Sequence, residues 1–361
     1  MKHLLTIIAT LATCSLLCSA RETAAGDDGR IFIEGRTLTE DGKVSFDWSG
    51  VTLRIRFCGT SLEMAYSDSG HDWMNVWVDE TPSAKEQKKI ELKGEGSITL
   101  ASGLRKGEHE VVLQKRTEGE QGRISISGFD TDGKFLKASD PFRRHIEFIG
   151  DSYTCGYGTE AANRNCPFKA EEENCNLTYA AIIGRHFDAG VRHISHSGRG
   201  IARNYGDAPD ALMPERYTRT FDCSEKEGWK AGSDGFKPDV VVIYLGTNDF
   251  STGKQPSLGA WCQQYTTLLE QIASNYGSDI PVLCAASNCD ELLADYVKEA
   301  ARSCGLKNVR WTAVNKGAHD IEGDLGASWH PNYKGQRKVA ACMIPYIATL
   351  TGWDMPFKAI E

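Results

Sequence analysis

The sequence predicts an α/β protein in two parts: an N-terminal β-sandwich of the jelly-roll kind, then a three-layer α/β/α domain built on a parallel sheet. Two observations predict this. Short segments of alternating apolar and polar residues occupy the chain from about residue 31 to 130, and beyond residue 139 short apolar segments alternate with helical patterns. Period two marks strands with one buried face, whereas strands separated by helices are typical of parallel sheets. The length of 361 residues also suits two domains.

The first part is predicted to span residues 21–138. In the segment 51–57, apolar residues alternate with Thr and Arg, and five further segments repeat that alternation. Glycines between the segments supply the turns that short antiparallel strands need. We expect three tryptophans in or beside these segments to pack in the core: Trp48, Trp73 and Trp77.

The second part is predicted to span residues 139–361. Its most apolar segment, 240–245, is typical of a strand buried on both faces. In a parallel sheet the carboxyl ends of the strands lie at one edge, and active residues come from the loops there. Further strands are predicted at 145–149, 280–285 and 309–314. Helices are predicted at 178–187, 258–275, 292–304 and 333–350.

The charge of the chain argues against a nucleic-acid partner. The chain carries 41 Lys and Arg against 49 Asp and Glu, a net charge of −8. No block of five or more basic residues occurs, and phosphate binding needs a concentrated basic surface.

Residues 1–20 resemble an export signal. Lys2 gives a positive start, the segment 4–17 is almost wholly apolar, and small residues end it at Ala20. This apolar segment is short for a membrane span, and no other segment is long and apolar enough. We therefore expect a secreted or periplasmic protein without a membrane span. A poor lipoprotein-like motif at 11–14 makes lipid anchoring a less favoured alternative, and a buried N-terminal helix is another.

Two of the 12 cysteines lie in that leader. Among the other ten, Cys166 and Cys175 are close together in a polar loop and are the favoured local disulfide in an exported protein. Cys284 and Cys342 lie in apolar segments and are expected in the core. No CxxC pair and no Cys/His cluster with zinc spacing occurs, so neither a metal nor another cofactor is expected.

A serine follows directly on the first predicted strand of the second part. Ser152 ends a Gly-Asp-Ser sequence in which Gly150 permits a tight turn, and the chain then leads toward a helix. Backbone N–H groups at such a turn favour a developing oxyanion. Taken alone, the same tripeptide also suits an ordinary turn with a capping serine.

Two further motifs lie at the same predicted edge. Asn248, in the Gly-Thr-Asn-Asp sequence after the most apolar strand, can point an amide N–H at a reacting carbonyl oxygen. Removal of one such donor typically costs about 2.7–4 kcal/mol of transition-state stabilisation. His330 precedes the last helix in a Trp-His-Pro-Asn motif, whose Pro331 and Asn332 suit a helix start. That position leaves the histidine free to face the edge of the sheet.

The order and spacing of these motifs resemble the SGNH hydrolase superfamily, and the Ser-Gly-Arg-Gly sequence at 197–200, between the serine and asparagine motifs, resembles its glycine block. The resemblance implies that Ser152 is the nucleophile and His330 its base. It also implies an oxyanion hole made by the N–H groups of Ser152 and Gly200 and by the side chain of Asn248. Gly198 is the close alternative to Gly200.

The β-rich first part sharpens the resemblance. A β-sandwich before such a domain, the glycine block continued to Arg-Asn-Tyr at 203–205, and the Trp-His-Pro-Asn motif together look like carbohydrate esterase family 2. The resemblance implies an enzyme without a cofactor that removes acetyl groups from xylan, glucomannan or related polysaccharides and oligosaccharides. Four aromatic residues near the motifs are candidates for contact with the sugar, with core packing as the alternative for each: Tyr153, Tyr205, Trp261 and Trp329.

One position departs from the superfamily pattern. Many members carry an Asp three residues before the histidine, where this chain has Ala327. We expect a backbone carbonyl to orient His330, giving a serine–histidine dyad, with Asp324 as a less favoured substitute for the missing Asp. A dyad can work because the histidine needs only its tautomer and orientation fixed. His319 is a competing base.

Other functions stay open at this point. His193 and His196 weakly suggest a metal site, although no third ligand accompanies them. A carbohydrate-binding module with an inactive hydrolase domain, and a lipase or thioesterase on the same fold, are alternatives because a fold hosts many chemistries. Acetyl esters of peptidoglycan or host glycans are further candidate substrates.

Overall fold

The computed structural model of the protein describes residues 21–84, 87–287, 290–315 and 319–361. The predicted export signal and the lipoprotein-like motif lie outside the described residues. The predicted fold class is confirmed, because an antiparallel sheet is followed along the chain by a five-stranded parallel sheet with helices. The domain boundary between residues 138 and 139 stays a prediction.

Ten antiparallel strands form the first half. They are β1 (Glu22–Ala25), β2 (Phe32–Glu34), β3 (Leu38–Glu40), β4 (Lys43–Phe46), β5 (Thr52–Gly59), β6 (Leu62–Val78), β7 (Lys88–Ala101), β8 (Gly107–Lys115), β9 (Ile124–Thr131) and β10 (Lys134–Leu136). Pairing of β5 with β8 sets Leu53 opposite Leu113 and Ile55 opposite Val111. All four side chains are buried, which removes their apolar surface from water.

The tryptophans of this half do not all lie in the core. Trp48 and Trp77 are buried, as expected. The expectation for Trp73 is wrong, because its ring lies partly exposed on the other face of β6. There it stacks on His71, with ring centroids 5.6 Å apart, and Lys89 Nζ lies 5.1 Å from its ring centroid.

Five parallel strands form the second half. They are β11 (Arg144–Gly150), β12 (Ala189–Ser195), β13 (Val240–Tyr244), β14 (Val282–Ala286) and β15 (Val309–Ala313). The strand order β12-β11-β13-β14-β15 reverses its direction at β11 and β13. Open α/β sheets bind ligands at such a switch point, outside the carboxyl ends of the strands. Strand β13 is buried at every residue, as its apolar sequence predicted.

Helices cover this sheet on both faces. They are α1 (Ser152–Cys155), α2 (Tyr179–Phe187), α3 (Met213–Arg216), α4 (Leu258–Tyr276), α5 (Glu291–Ser303) and α6 (Tyr333–Thr351). The ends of the four helices predicted from the sequence fall within about one residue of the prediction, because polar caps mark them. Asn332, for example, accepts the N–H groups of Lys334 and Gly335. Among the described helices, none is both long and apolar enough to cross a membrane.

The predicted local disulfide is wrong. Cys166 and Cys175 are both free thiols. Cys175 is buried, its Sγ lies 3.1 Å from Lys115 O, and burial raises the pKa of its thiol to about 12. Its side chain therefore turns into the protein, away from the loop that carries Cys166. Cys284 is buried in the core as expected, and Cys342 packs at the edge of the core.

Buried polar contacts join the two halves. Trp48 Nε1 donates to Thr220 O at 2.9 Å. The carboxylate of Asp47 accepts the N–H groups of Asp222 and Cys223 at 2.7 and 3.1 Å. Because each contact pairs a side chain of the antiparallel half with backbone of the parallel half, breaking one leaves a buried polar group unpaired.

Candidate active site

Ser152 begins helix α1 directly after strand β11 ends. The carboxylate of Asp151 caps this helix by accepting the N–H of Tyr153 at 3.1 Å. A Cβ atom at Gly150 would stand 1.9 Å from Thr154 Oγ1, so the turn requires glycine. This tight turn places the serine hydroxyl at the carboxyl edge of the sheet.

His330 lies beside this serine. Its Nε2 is 2.9 Å from Ser152 Oγ, and its Nδ1 is 3.2 Å from Ala327 O and 3.0 Å from Ser328 O. A ring nitrogen that faces two carbonyls carries the proton, so Nε2 can accept the proton of the serine hydroxyl. Burial lowers the pKa of His330, which keeps the ring neutral and able to act as a base at neutral pH.

The carbonyls that face Nδ1 belong to a strained turn. Ser328 and Trp329 have positive φ angles of 49° and 67°. Such a conformation costs a non-glycine residue about 1–2 kcal/mol. Two hydrogen bonds hold it, from Ser328 N–H to Cys166 O at 3.0 Å and from Trp329 N–H to Arg164 O at 3.3 Å. The loop around residues 164–166 therefore supports the orientation of the histidine.

The structure does not support Asp324 as the residue that orients His330, or His319 as the base. Asp324 accepts the N–H of Asp320 and the ammonium of Lys338, both at 2.5 Å, so its carboxylate is engaged away from His330. His319 has Asp324 and Lys338 as its charged neighbours, and burial lowers its pKa. Backbone carbonyls thus occupy the position that the superfamily usually gives to an Asp.

Asn248 follows strand β13, on the neighbouring strand to that of the serine. Its Nδ2 donates to Arg199 O at 2.9 Å and to Asp151 Oδ2 at 3.2 Å. The amide therefore lies between the turn of the nucleophile and the glycine block. Both of its hydrogens have acceptors in the structure, so a carbonyl oxygen that becomes an oxyanion must replace or share one of them. The predicted role in the oxyanion hole stays a prediction.

The N–H of Gly200, the predicted oxyanion donor, is engaged in the structure, which favours the alternative, Gly198. The Gly200 N–H donates to Asn204 Oδ1 at 3.1 Å, and a Cβ atom on Gly200 would stand 2.0 Å from Arg203 O. Gly200 is needed for the close packing of its own loop. Gly198, the alternative, has a positive φ of 76°, and its N–H makes no hydrogen bond with any residue that the structure describes.

Asp249 holds the glycine block in place, a role that sequence reasoning missed. Its carboxylate accepts the N–H groups of Ile201, Ala202 and Arg203 at 2.9, 2.7 and 2.9 Å. The signal was present in the Gly-Thr-Asn-Asp motif, whose last residue is a further polar group at the same turn. The motif thus supplies one polar group to the site and one to the neighbouring loop.

Tyr157 was also missed. Its ring lies against that of His330, with centroids 4.3 Å apart and planes at 31°. Phe168 stacks on the other side of Tyr157 at 4.2 Å. No sequence period could reveal this stack, because both aromatic residues come from irregular loops. The stack fixes the plane of the imidazole where the superfamily pattern would use an Asp.

Three of the four predicted sugar contacts lie on the segments that carry the site residues, and their contact with a sugar stays a prediction. Trp329 is 56% exposed, and the guanidinium of Arg164 lies 4.5 Å from its ring centroid. Tyr205 is 60% exposed, and its N–H donates to Gly198 O at 2.8 Å. The ring centroid of Tyr153 is 5.6 Å from that of the histidine, but this side chain is half-buried. Trp329 and Tyr205 are therefore free to receive a sugar face.

Trp261, the fourth, is a core residue. It is fully buried in helix α4, between Tyr265 and Tyr296 with ring centroids 4.8 and 5.7 Å away. Its position after the Asn248 motif suggested the site, but the start of the helix turns this side chain inward. The core alternative was correct.

The two histidines near β12 have different surroundings. His193 is buried, its Nδ1 lies 3.3 Å from Thr154 O, and burial lowers its pKa to about 4. His196 Nδ1 lies 2.5 Å from Asp222 Oδ2, and although burial opposes it, this carboxylate raises the pKa of His196 to about 10. Arg216 donates to the same carboxylate at 2.6 Å. A guanidinium therefore already supplies the positive charge there.

Two known protein families match this chain, one over the antiparallel sheet and one over the parallel sheet. Residues 33–139 match the family described as "Carbohydrate esterase 2 N-terminal". Residues 148–338 match the "GDSL-like Lipase/Acylhydrolase family".

Similar proteins are carbohydrate-active enzymes. The cellulase/esterase CelE of Acetivibrio thermocellus is 33% identical over 92% of this chain, which spans only 41% of that relative. An acetylxylan esterase / glucomannan deacetylase of Cellvibrio japonicus is 28% identical, over 90% of each chain. The solved structure of a family two carbohydrate esterase from Clostridium thermocellum in complex with cellohexaose is 32% identical, with a TM-score of 0.82 over 90% of this chain and 100% of that one.

Proposed function

The chain belongs to carbohydrate esterase family 2, a family of carboxylic ester hydrolases, and from that premise we propose that it removes acetyl groups from xylan, glucomannan or a related glycan through an acyl-enzyme on Ser152. The observation that carries the proposal is the 2.9 Å contact between Ser152 Oγ and His330 Nε2. A neutral histidine with its other nitrogen bound to carbonyls is a base poised to take the serine proton.

The first half-reaction makes the acetyl-enzyme. His330 Nε2 takes the proton as Ser152 Oγ bonds to the acetyl carbon, and the carbonyl oxygen becomes an oxyanion. The N–H groups of Ser152 and Gly198 and the amide of Asn248 stabilise that charge. The bond to the sugar oxygen then breaks, and this oxygen takes the proton from Nε2.

The second half-reaction releases acetate. A water molecule gives its proton to His330 Nε2 as its oxygen bonds to the acetyl carbon, and the same donors hold the second oxyanion. The ester bond to Ser152 then breaks, and the serine oxygen takes the proton back from Nε2. No external reagent besides water is consumed.

The identity of the substrate rests on two lines of support. Relatives carry the names acetylxylan esterase and glucomannan deacetylase, and a similar solved structure holds cellohexaose. In this chain the exposed rings of Trp329 and Tyr205 offer the flat apolar surface that the C–H face of a sugar ring packs on. We propose that these two rings hold the glycan beside the serine.

The test is acetate release by the wild type and by Ser152→Ala from acetylated xylan and glucomannan, with p-nitrophenyl esters of increasing chain length alongside. We expect release by the wild type alone and a preference for acetyl over long acyl groups. Full activity of Ser152→Ala would remove the serine as nucleophile. Inactivity of both proteins, with retained glycan binding, would favour the binding-module alternative, and a preference for long chains would favour a lipase.

We also propose that the protein is exported, which rests on the sequence of residues 1–20. Expression of the full chain in a bacterium, followed by N-terminal sequencing of the mature protein outside the cytoplasm, tests this. A mature chain beginning after Ala20 supports cleavage of a signal. A chain that keeps Met1 and stays in the cytoplasm contradicts it.

A further inference from the structure

We propose that Glu118, a carboxylate supplied by the antiparallel half, is a positioning residue of the esterase site that fixes the loop of Gly198 relative to Ser152. This inference rests on the function proposed above. It gives the antiparallel half a part in positioning the site, beyond that of a neighbouring domain.

The contacts of Glu118 reach both elements that carry the site. Its Oε2 accepts the N–H of Ser197 at 2.6 Å, one residue before Gly198. The same oxygen lies 3.5 Å from the Sγ of Cys155 in helix α1, which begins at Ser152; this thiol also has Ser195 Oγ as an acceptor at 3.3 Å. One carboxylate oxygen therefore contacts both the helix of the nucleophile and the loop of the oxyanion donor.

The backbone of Glu118 is itself anchored in the antiparallel half. Lys115, the last residue of β8, donates from Nζ to Glu118 O at 3.1 Å and to Asp72 Oδ1 at 2.6 Å. Lys115, Asp72 and Glu118 are all buried, with at most 1% exposure. Because separating a buried ion pair leaves an uncompensated charge, the pair resists displacement, and Glu118 has a rigid base from which to hold the loop.

A second carboxyl group completes the cluster without competing for Ser197. Glu173 Oε2 accepts the N–H of Glu118 at 3.0 Å. Burial, together with the nearby charge of Glu118, raises the pKa of Glu173 well above its usual value. Glu173 therefore keeps its proton, and a neutral neighbour leaves Glu118 as the acceptor for the loop.

The contact between Glu118 and Ser197 matters for the direction of the oxyanion donor, the N–H of Gly198. An oxyanion hole works only while its N–H groups point at the place where the charge develops, within a few tenths of an ångström. The Gly198 N–H has no partner of its own among the described residues, so neighbouring bonds must fix its direction. Two bonds flank it: Ser197 N–H donates to Glu118 on one side, and Gly198 O accepts from Tyr205 N–H on the other.

Asp47 provides a matched control. It too is a buried carboxylate of the antiparallel half, and it accepts two backbone N–H groups of the parallel half, those of Asp222 and Cys223. Neither of those residues belongs to the proposed site. Loss of either carboxylate would therefore loosen the contact between the two halves. Only loss of the Glu118 carboxylate would also displace the N–H of Gly198.

The experiment compares Glu118→Met, Glu118→Gln and Asp47→Leu with the wild type, by kcat and KM for p-nitrophenyl acetate and by thermal unfolding. Met and Gln both keep the length of the side chain, but only Gln keeps an acceptor for Ser197 N–H. We expect Glu118→Met to lose kcat by about 10²-fold with KM nearly unchanged, as for a misplaced oxyanion donor. We expect Glu118→Gln to restore most of kcat, and Asp47→Leu to lower the unfolding temperature but not kcat.

The outcomes separate this inference from the function on which it rests. An inactive wild type overturns both. An active wild type with an equally active Glu118→Met overturns the positioning role and leaves the esterase intact. A loss of kcat in Asp47→Leu as large as that in Glu118→Met, or a Glu118→Gln as inactive as Glu118→Met, also overturns it, since the loop contact would then not be the cause.

Discussion

At the scale of single residues, the candidate site pairs Ser152 with a histidine that has no carboxylate partner among the described residues. Two carbonyls fix the proton on Nδ1 of His330, and the ring of Tyr157 lies against its face. In a triad the acidic residue both orients the imidazole and stabilises the imidazolium. Here the carbonyls orient the imidazole, and the partial charges of the carbonyls and of the aromatic ring stabilise the imidazolium.

The amide of Asn248 is predicted to act on the oxyanion. Asn248→Ala should lower kcat about 10²- to 10³-fold with little change in KM, because the donor matters only once charge develops. Stopped-assay kinetics with p-nitrophenyl acetate measures this, and circular dichroism confirms that the variant is folded. Unchanged turnover would remove Asn248 from the oxyanion hole.

The pH dependence follows from the environment of His330. Burial lowers its pKa, although the carbonyls of Ala327 and Ser328 and the charge of Glu118 oppose this. The protonated ring cannot accept the serine proton, so kcat/KM should be constant above the pKa and fall as the pH drops through it. We expect the midpoint of this acidic limb below about 6.5, the ordinary value for histidine. A midpoint clearly above that value would contradict the burial argument.

Tyr157 is predicted to act through its ring. In Tyr157→Leu the imidazolium loses its contact with an aromatic face, which is worth about 0.5–2 kcal/mol and corresponds to a loss of about 2- to 30-fold in kcat. Tyr157→Phe keeps the face and should stay near the wild type. The two variants are compared in the same assay, and equal losses in both would assign the effect to the hydroxyl instead.

At the scale of elements, the short turn before α6 decides the orientation of the base. Ser328→Gly should keep activity, because glycine adopts a φ of 49° without strain and the carbonyl remains. Ser328→Pro should lose activity by about 10²-fold, because proline fixes φ near −65° and removes the N–H that bonds to Cys166 O. Turnover and unfolding temperature are measured for both, and an active Ser328→Pro would show that the turn is dispensable.

Elements with a strong local signal were predictable from the sequence. The apolar segment of β13 and the capped helix that follows Asn332 were found almost to the residue, because periodicity and caps act locally. The motifs likewise located Ser152, Asn248 and His330 at one edge. The choice between Gly198 and Gly200 could not be made from the motif, since it depends on which N–H a side chain such as Asn204 occupies in the folded loop.

At the scale of the whole molecule, the two sheets depend on each other. Arg36, buried in the antiparallel half, donates to Tyr217 O and Arg219 O of the parallel half. Trp48 and Asp47 make similar contacts with backbone atoms. Sequence periodicity could not predict this interface, because its polar residues come from loops and pair over separations of about 170 residues or more.

A fragment of residues 139–361 is therefore predicted to fold poorly. The fragment would lack Arg36, Trp48 and Asp47, which now pair with its backbone carbonyls and N–H groups. Each of these backbone groups that stays buried without a partner lowers the free energy of unfolding by about 1–3 kcal/mol. Expression of the fragment beside the full chain, followed by thermal unfolding and esterase assay, measures the effect. A stable and fully active fragment would show that the parallel half needs no partner.

The orientation of His330 by backbone carbonyls changes which mutations can inactivate the site. An aspartate at this place would be one nucleotide change away from asparagine or glycine, and inactivation would follow from chemistry alone. A carbonyl is present whatever side chain a codon specifies, so a replacement at position 327 or 328 keeps the orienting group if the chain still bends there and, at the buried Ala327, if the side chain stays small. Selection would then act on the shape of this turn more than on the identity of its side chains.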